Sequence, residues 1–195
     1  MEVPRLYLKI KSMPELLENL AWPFDFELVE PCEELSEFHI TSNVPLLVLA
    51  QDGTGGLFAL CGMKDIENSH VIHITSEGQA GLIGNNFNEA VSLIVSLPYW
   101  RDLLKFSGGG KLNEMRRALP LSEGDLIEDQ PEALELIKKI EKDLDLVALD
   151  DPVKYLHTMA HTEGFPTIRS RDGEAFDWLF NTFVVENNPY WKGKA

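Results

Sequence analysis

Val44-Pro45-Leu46-Leu47-Val48-Leu49-Ala50-Gln51-Asp52-Gly53-Thr54-Gly55-Gly56-Leu57-Phe58-Ala59-Leu60 is the stretch on which the fold turns. Residues 45–50 are a continuous apolar run, the pattern of a buried strand. Gln51 to Gly56 reads as a turn, because Asp-Gly and Gly-Gly supply positive φ at little cost. Residues 57–61 then return as the partner strand. Residues 71–75 alternate, with Ile72 and Ile74 on one face and Val71, His73 and Thr75 on the other. Gly78 and Gly81 bracket a further turn, and Leu82-Ile83 adds an edge. At Asn85-Asn86 the period changes. Phe87, Ala90, Val91, Ile94 and Val95 recur at helical spacing behind an Asn cap. Pro98 ends or kinks that helix, and Trp100, Leu103 and Leu104 resume it. Strands in succession followed by helices define an α+β fold with a mostly antiparallel sheet and flanking helices.

Upstream, residues 5–11 alternate and predict a half-buried strand. Residues 13–20 predict a short helix with Pro14 in its first turn. Residues 24–29 and 38–41 are strand-like. Downstream, Ser107-Gly108-Gly109-Gly110-Lys111 is the clearest linker. The division expected from it is a core over 1–107 and a helical extension over 111–195, packed on the core or continuous with it as one domain. In the extension, helices are predicted over 112–119 and over 131–147. The second carries Leu134, Ile137, Ile140, Leu144 and Val147 as its stripe. A third opens at Asp151-Pro152 and ends near Gly164. The last is predicted over 174–185, with Phe176, Leu179, Phe180 and Phe183 on one face.

Composition narrows the function classes. The chain has 195 residues, 44% hydrophobic and 25% charged, which is ordinary for a globular protein and argues against intrinsic disorder. Seventeen Lys and Arg against 32 Asp and Glu give a net charge of −15. Such a balance argues against direct binding of nucleic acid and against docking on an anionic membrane. It suits a basic protein partner, which a surface of opposite sign steers in. The charge is segregated. Residues 15–37 hold eight acids and no base, and residues 121–151 hold eleven acids against three lysines. Two cysteines make no disulfide framework, and no secretory leader or membrane span is legible, so a cytoplasmic location is the expectation.

Few motifs carry chemistry. His157 and His161 stand at i and i+4, as zinc ligands do, but Thr158 occupies the place of the metalloprotease glutamate. Zinc would need a third ligand, such as Asp150, Asp151 or Glu163. The stretch 107–111 is no phosphate loop, because Lys105 replaces the first glycine and Leu112 follows the lysine. Cys61 with His73 or His70 is a conceivable nucleophile pair, and a small buried thiol is the simpler reading. Trp22, Trp100 and Trp178 are expected in the core. Trp191, in a polar tail, is read as an exposed anchor. No catalytic residue, resident metal or cofactor is expected.

The segment from Val44 to Leu60 resembles the SUKH superfamily, as does the order that follows it: a further strand, then a helix opening on Asn86-Phe87-Asn88-Glu89-Ala90. The similarity spans residues 45–106. The family's usual N-terminal opening is replaced by Leu20-Ala21-Trp22-Pro23, and the helical tail is longer than the family core, so the chain resembles a divergent member. The resemblance implies an α+β fold and a non-catalytic binding protein, since many members look like immunity proteins against bacterial toxins, often nucleases. Asp52, Gly53 and Gly55 match the family's turn and are read as structural. The resulting expectation is a protein-binding module that occludes a basic, nuclease-like toxin. Its acidic contacts would include Glu30, Glu33, Glu34 and Glu37 in one block and Glu128, Asp129, Glu132 and Glu135 in the other, with Trp191 as anchor. A regulatory or scaffolding protein is the alternative within binding modules. A hydrolase using a metal or Cys61 is the alternative among enzymes.

Overall fold

The structure, a computed structural model, describes residues 2–62 and 65–191. Two short helices come first, α1 (Arg5–Lys11) and α2 (Pro14–Ala21). Strand β1 (Glu27–Cys32) and the short β2 (Ile40–Ser42) follow. The hairpin expected at the Asp-Gly turn is β3 (Leu46–Gln51) with β4 (Leu57–Cys61). Next come β5 (Val71–Ile74), β6 (Ala80–Gly84), α3 (Phe87–Ser96) and α4 (Trp100–Lys105). The C-terminal part holds α5 (Leu112–Asp129), α6 (Ala133–Leu144), α7 (Pro152–Ala160) and β7 (Ile168–Ser170). The main sheet has the order β1-β3-β4-β5-β6, and β2 pairs with β7 in a separate ribbon. The ladder pairings in both sheets are antiparallel, so the fold is α+β with a helical C-terminal part.

Strands β3 to β6 of the main sheet are buried on both faces, which is why β3 reads as an unbroken apolar run. Leu47, Leu49, Phe58, Leu60, Val71 and Ile83 face the helical layer and join one core with Tyr7, Val91, Trp100, Met115 and Leu156. Leu46, Val48, Leu57, Ala59, Ile72 and Ile74 face the other way and meet Ile40 of β2, Ile168 of β7 and Met159 of α7. Asn86 caps α3 by accepting from the Glu89 N–H at 2.9 Å.

Three expectations fail. Residues 5–11 are helical: Leu6, Tyr7 and Ile10 are buried together while Leu8 is 55% exposed. Apolar residues at 6, 8 and 10 fit period 2, but those at 6, 7 and 10 fit period 3.6 equally well, and packing on the core chose the second. The Tyr7 hydroxyl, donating to the Val29 carbonyl at 2.6 Å, ties that helix to β1. The helix expected over 112–119 runs on through Pro120 to Asp129, because Met115, Ala118 and Ser122 continue its buried face. Residues 174–185 form no α-helix. They run as a strap along the β6 edge, where Ala80 N–H donates to Asp177 O at 2.8 Å and Asp177 N–H to Gly78 O at 2.9 Å. The strap buries Leu179 and Phe180 and leaves Phe183 47% exposed. The stripe expected on α6 is also redrawn. Ile140 and Leu144 are buried, Leu134 is 43% exposed, and Val147 lies past the helix end and is 51% exposed.

The Gly-rich stretch 107–111 is a packed turn. Ser107 is fully buried and donates to Asn181 O at 2.9 Å. Gly108 N–H donates to Phe183 O and Gly109 N–H to Asn181 O, each at 2.8 Å. Those amides are spent on the strap, so the turn presents no cradle for phosphate.

Candidate functional site

The Asp-Gly turn carries the densest polar arrangement in the fold. Asp52 is 2% exposed. Its Oδ1 accepts from Thr54 N–H at 2.9 Å, Thr54 Oγ1 at 2.6 Å and Gly56 N–H at 2.8 Å. Its Oδ2 lies 3.0 Å from His73 Nε2 and 3.1 Å from Arg101 Nη1. Asp25, in the loop entering β1, accepts from Gly53 N–H at 2.7 Å and pairs with the same Arg101. The turn is thus stapled to α4 and to the α2–β1 loop. Gly55 has φ +86, and a Cβ on Gly56 would collide with the Asp52 carboxylate, so both glycines are required.

The electrostatics follow from this geometry. Burial opposes ionisation of Asp52, but the hydrogen bonds from His73, Thr54 and Gly56 outweigh it and hold the carboxyl well below its ordinary value. An anionic Asp52 can only accept, so His73 Nε2 carries the hydrogen. Burial of the ring pushes the His73 pKa below its usual 6.5, against the pull of Asp52 and with the help of Arg101. Nδ1 is then a bare lone pair, buried without a partner among the described residues. A cavity of about 300 Å³ opens beside the hub, lined by Thr54, Glu77, Gln79, Arg101 and Lys105 among others. Every Asp52 oxygen is committed and the His73 ring is 1% exposed, so the work of this cluster is to fix the turn.

The other candidate chemistry is placed as follows. Cys61 N–H donates to the His70 carbonyl at 2.8 Å, whereas His73 sits opposite Phe58, with its ring tilted against that of Phe58 and edge-on to Trp100. The Cys61 side chain packs against the other core, beneath the ribbon, so the strand register separates it from His73. Burial pushes its thiol up to about 12, which keeps it protonated. His157 and His161 do come together, with ring centroids 4.1 Å apart. His157 Nε2 is 2.9 Å from Gly110 O and His161 Nδ1 is 3.0 Å from His157 O. Carbonyls accept, so both nitrogens carry hydrogen and offer no lone pair. Asp151, a proposed third ligand, instead caps α7 and pairs with Arg116. Among the described residues no three His, Cys, Asp or Glu gather to hold a metal.

The two acidic blocks differ. In the first, Glu30 pairs with Lys11 at 2.6 Å, Glu34 accepts from Ser36 Oγ at 3.0 Å, and Glu37 lies 3.9 Å from Cys32 Sγ. Glu33 lines a groove with His39 and Arg171 beside the β2–β7 ribbon. In the second, Glu128 and Asp129 end α5, Glu132 precedes α6 and Glu135 is in its first turn. All four are exposed, and none of their carboxylates has an ion pair or hydrogen bond among the described residues.

The tryptophans are reassigned. Trp191 is 2% exposed, packs its ring at a tilt against Phe106 with centroids 4.6 Å apart and donates Nε1–H to Asp125 at 2.6 Å, so it is no surface anchor. Its polar neighbours hid a ring that tucks back under α5. Trp22, expected in the core, is 71% exposed instead. It lies just past the end of α2, where no periodicity reports which way a side chain turns. Trp178 is 47% exposed on the strap, and Trp100 is buried as expected.

Comparison with family models, with curated proteins and with solved structures gave no match. Among the described residues no helix is long and apolar enough to cross a membrane.

Proposed function

We propose that this protein is a non-catalytic protein-binding module whose acidic α5–α6 corner docks a basic partner. The observation that carries this reading is the run of four exposed carboxylates, Glu128, Asp129, Glu132 and Glu135, none of which has an ion pair or hydrogen bond among the described residues. Like charges this close on adjoining helix ends repel, and a partner bearing Lys and Arg relieves the repulsion. A standard interface takes about 800 Å² from each partner. The described fold exposes 10240 Å², so one corner suffices.

The sequence resemblance to SUKH proteins supports the finer reading, an immunity protein that covers the phosphate-holding surface of a nuclease-like toxin. A regulatory or scaffolding role with another basic partner uses the same surface. The test is capture from the source cells with the tagged protein under a low-salt wash, run beside a variant with Glu128, Asp129, Glu132 and Glu135 all changed to Lys. A basic nuclease-like protein held by the parent and lost from the variant is the expected result. Equal retention of the same protein by both would exclude this corner, and a captured partner of acidic character would exclude the reading.

A further inference from the structure

Two of the four unpaired carboxylates, those of Glu132 and Glu135, line a groove of about 710 Å³ between the end of α2 and the start of α6. Asn19, Trp22 and Pro23 form one wall, and Pro131, Glu132 and Glu135 part of the other. The Trp22 backbone is held on both sides: its main-chain N–H donates to Glu18 O at 3.2 Å, closing α2, while Phe24 and Phe26 just beyond it are sunk in the core at 1% and 2% exposure. The indole itself, 71% exposed, makes no aromatic or cation–π contact among the described residues. The cation that does line the groove, Lys139, is committed to Glu15 and does not neutralise Glu132 or Glu135.

An exposed indole on a fixed stretch of backbone, beside two unpaired carboxylates, is a site for a flat cation. We infer that this groove receives an arginine side chain from a basic segment of the partner, with the guanidinium on the Trp22 ring and hydrogen-bonded to Glu132 or Glu135. The inference rests on the basic-partner reading above and assigns it a pocket. Arginine fits better than lysine, because its planar, weakly hydrated fork both stacks on an aromatic face and pairs with carboxylates. A phosphate-bearing ligand is repelled here. So is a second copy of this chain, which brings a net charge of −15 to the same surface.

The test uses the full chain and two short peptides, alternating glycine with arginine or with lysine, titrated at low salt. The readout is the indole N–H resonances of the four tryptophans. The Trp22 signal, identified by its loss in Trp22→Phe, is expected to move saturably with the arginine peptide while that of Trp178 stays. Trp22→Ala should weaken the arginine peptide about tenfold, and the lysine peptide should bind several-fold more weakly than the arginine one. Arginine-peptide binding that leaves the Trp22 signal in place and is indifferent to Trp22→Ala would overturn the pocket while leaving the basic-partner reading intact. No binding of either peptide would overturn both.

Discussion

Asp52 is where a single atom matters most. Its carboxylate is buried, and it holds two backbone N–H groups, a hydroxyl, an imidazole and a guanidinium. Removing one member of such a buried charged set strands the others, at a cost of about 3–5 kcal/mol. Asp52→Ala should therefore lower unfolding free energy by about that amount in a urea titration, and a loss below about 1 kcal/mol would contradict the hub. The same residues set an acid sensitivity. His73 has a depressed pKa in the fold, so the unfolded chain binds more protons below the ordinary value of 6.5, and stability falls as pH drops through it. Asp52 is depressed as well, so its contribution is present above about 3.8 and is lost on further acidification. The second proton on His73 would go to Nδ1, where no acceptor waits. His73→Gln is expected to flatten the pH dependence of stability on acidification below about pH 6.5, whatever it does to stability at neutral pH. An unchanged slope would mean that another group titrates there. Of this hub the sequence showed only Asp52 and its glycines. Arg101 and Asp25 lie far along the chain from it, and a spacing pattern carries no sign of such a pairing.

At the level of elements, the strap over 174–185 is the most informative departure. Phe176, Leu179, Phe180 and Phe183 fit one face of a helix, which would bury all four alike. As a strap the segment buries Leu179, whose side chain fills the space left by Gly81, and leaves Phe183 half out. Leu179→Ala should cost about 2–5 kcal/mol by cavity formation. Phe183→Ala should cost about 1 kcal/mol or less. Similar losses for the two would favour a helix. The β3–β4–β5 strands and α3 were legible because both faces of the sheet are buried, and their apolar runs and Asn cap are local signals. The α1 segment was not, since seven residues satisfy two periods at once. The β2–β7 ribbon was not either, because its three-residue strands pair across a long stretch of chain, with Thr41 opposite Arg169, 128 positions on. Trp22 and Trp191 were misplaced for a related reason. Trp22 lies just past the end of α2 and Trp191 in a three-residue 3-10 turn, and at such places tertiary packing alone decides exposure.

For the whole molecule, charge is the organising fact. A net of −15 concentrated in two blocks sets a field that speeds encounter with a basic protein and slows it with an acidic one. The structure divides those blocks by how far they are satisfied internally. The Glu30–Glu37 group is partly tied up by Lys11, Ser36 and Cys32, and the Glu128–Glu135 group is not. Steering should therefore be carried mainly by the second group. Reversing it should slow association at low salt more than reversing Glu30, Glu33, Glu34 and Glu37 does. The measurement that tests this most directly is the association rate constant for the captured basic partner, for the parent and for the Glu128, Asp129, Glu132 and Glu135 reversal, from low to high salt. The expected result is a rate at least about tenfold lower for the reversal at low salt, with the two converging as salt screens the field. Equal rates at low salt would contradict the account, because the α5–α6 corner would then have no part in meeting the partner.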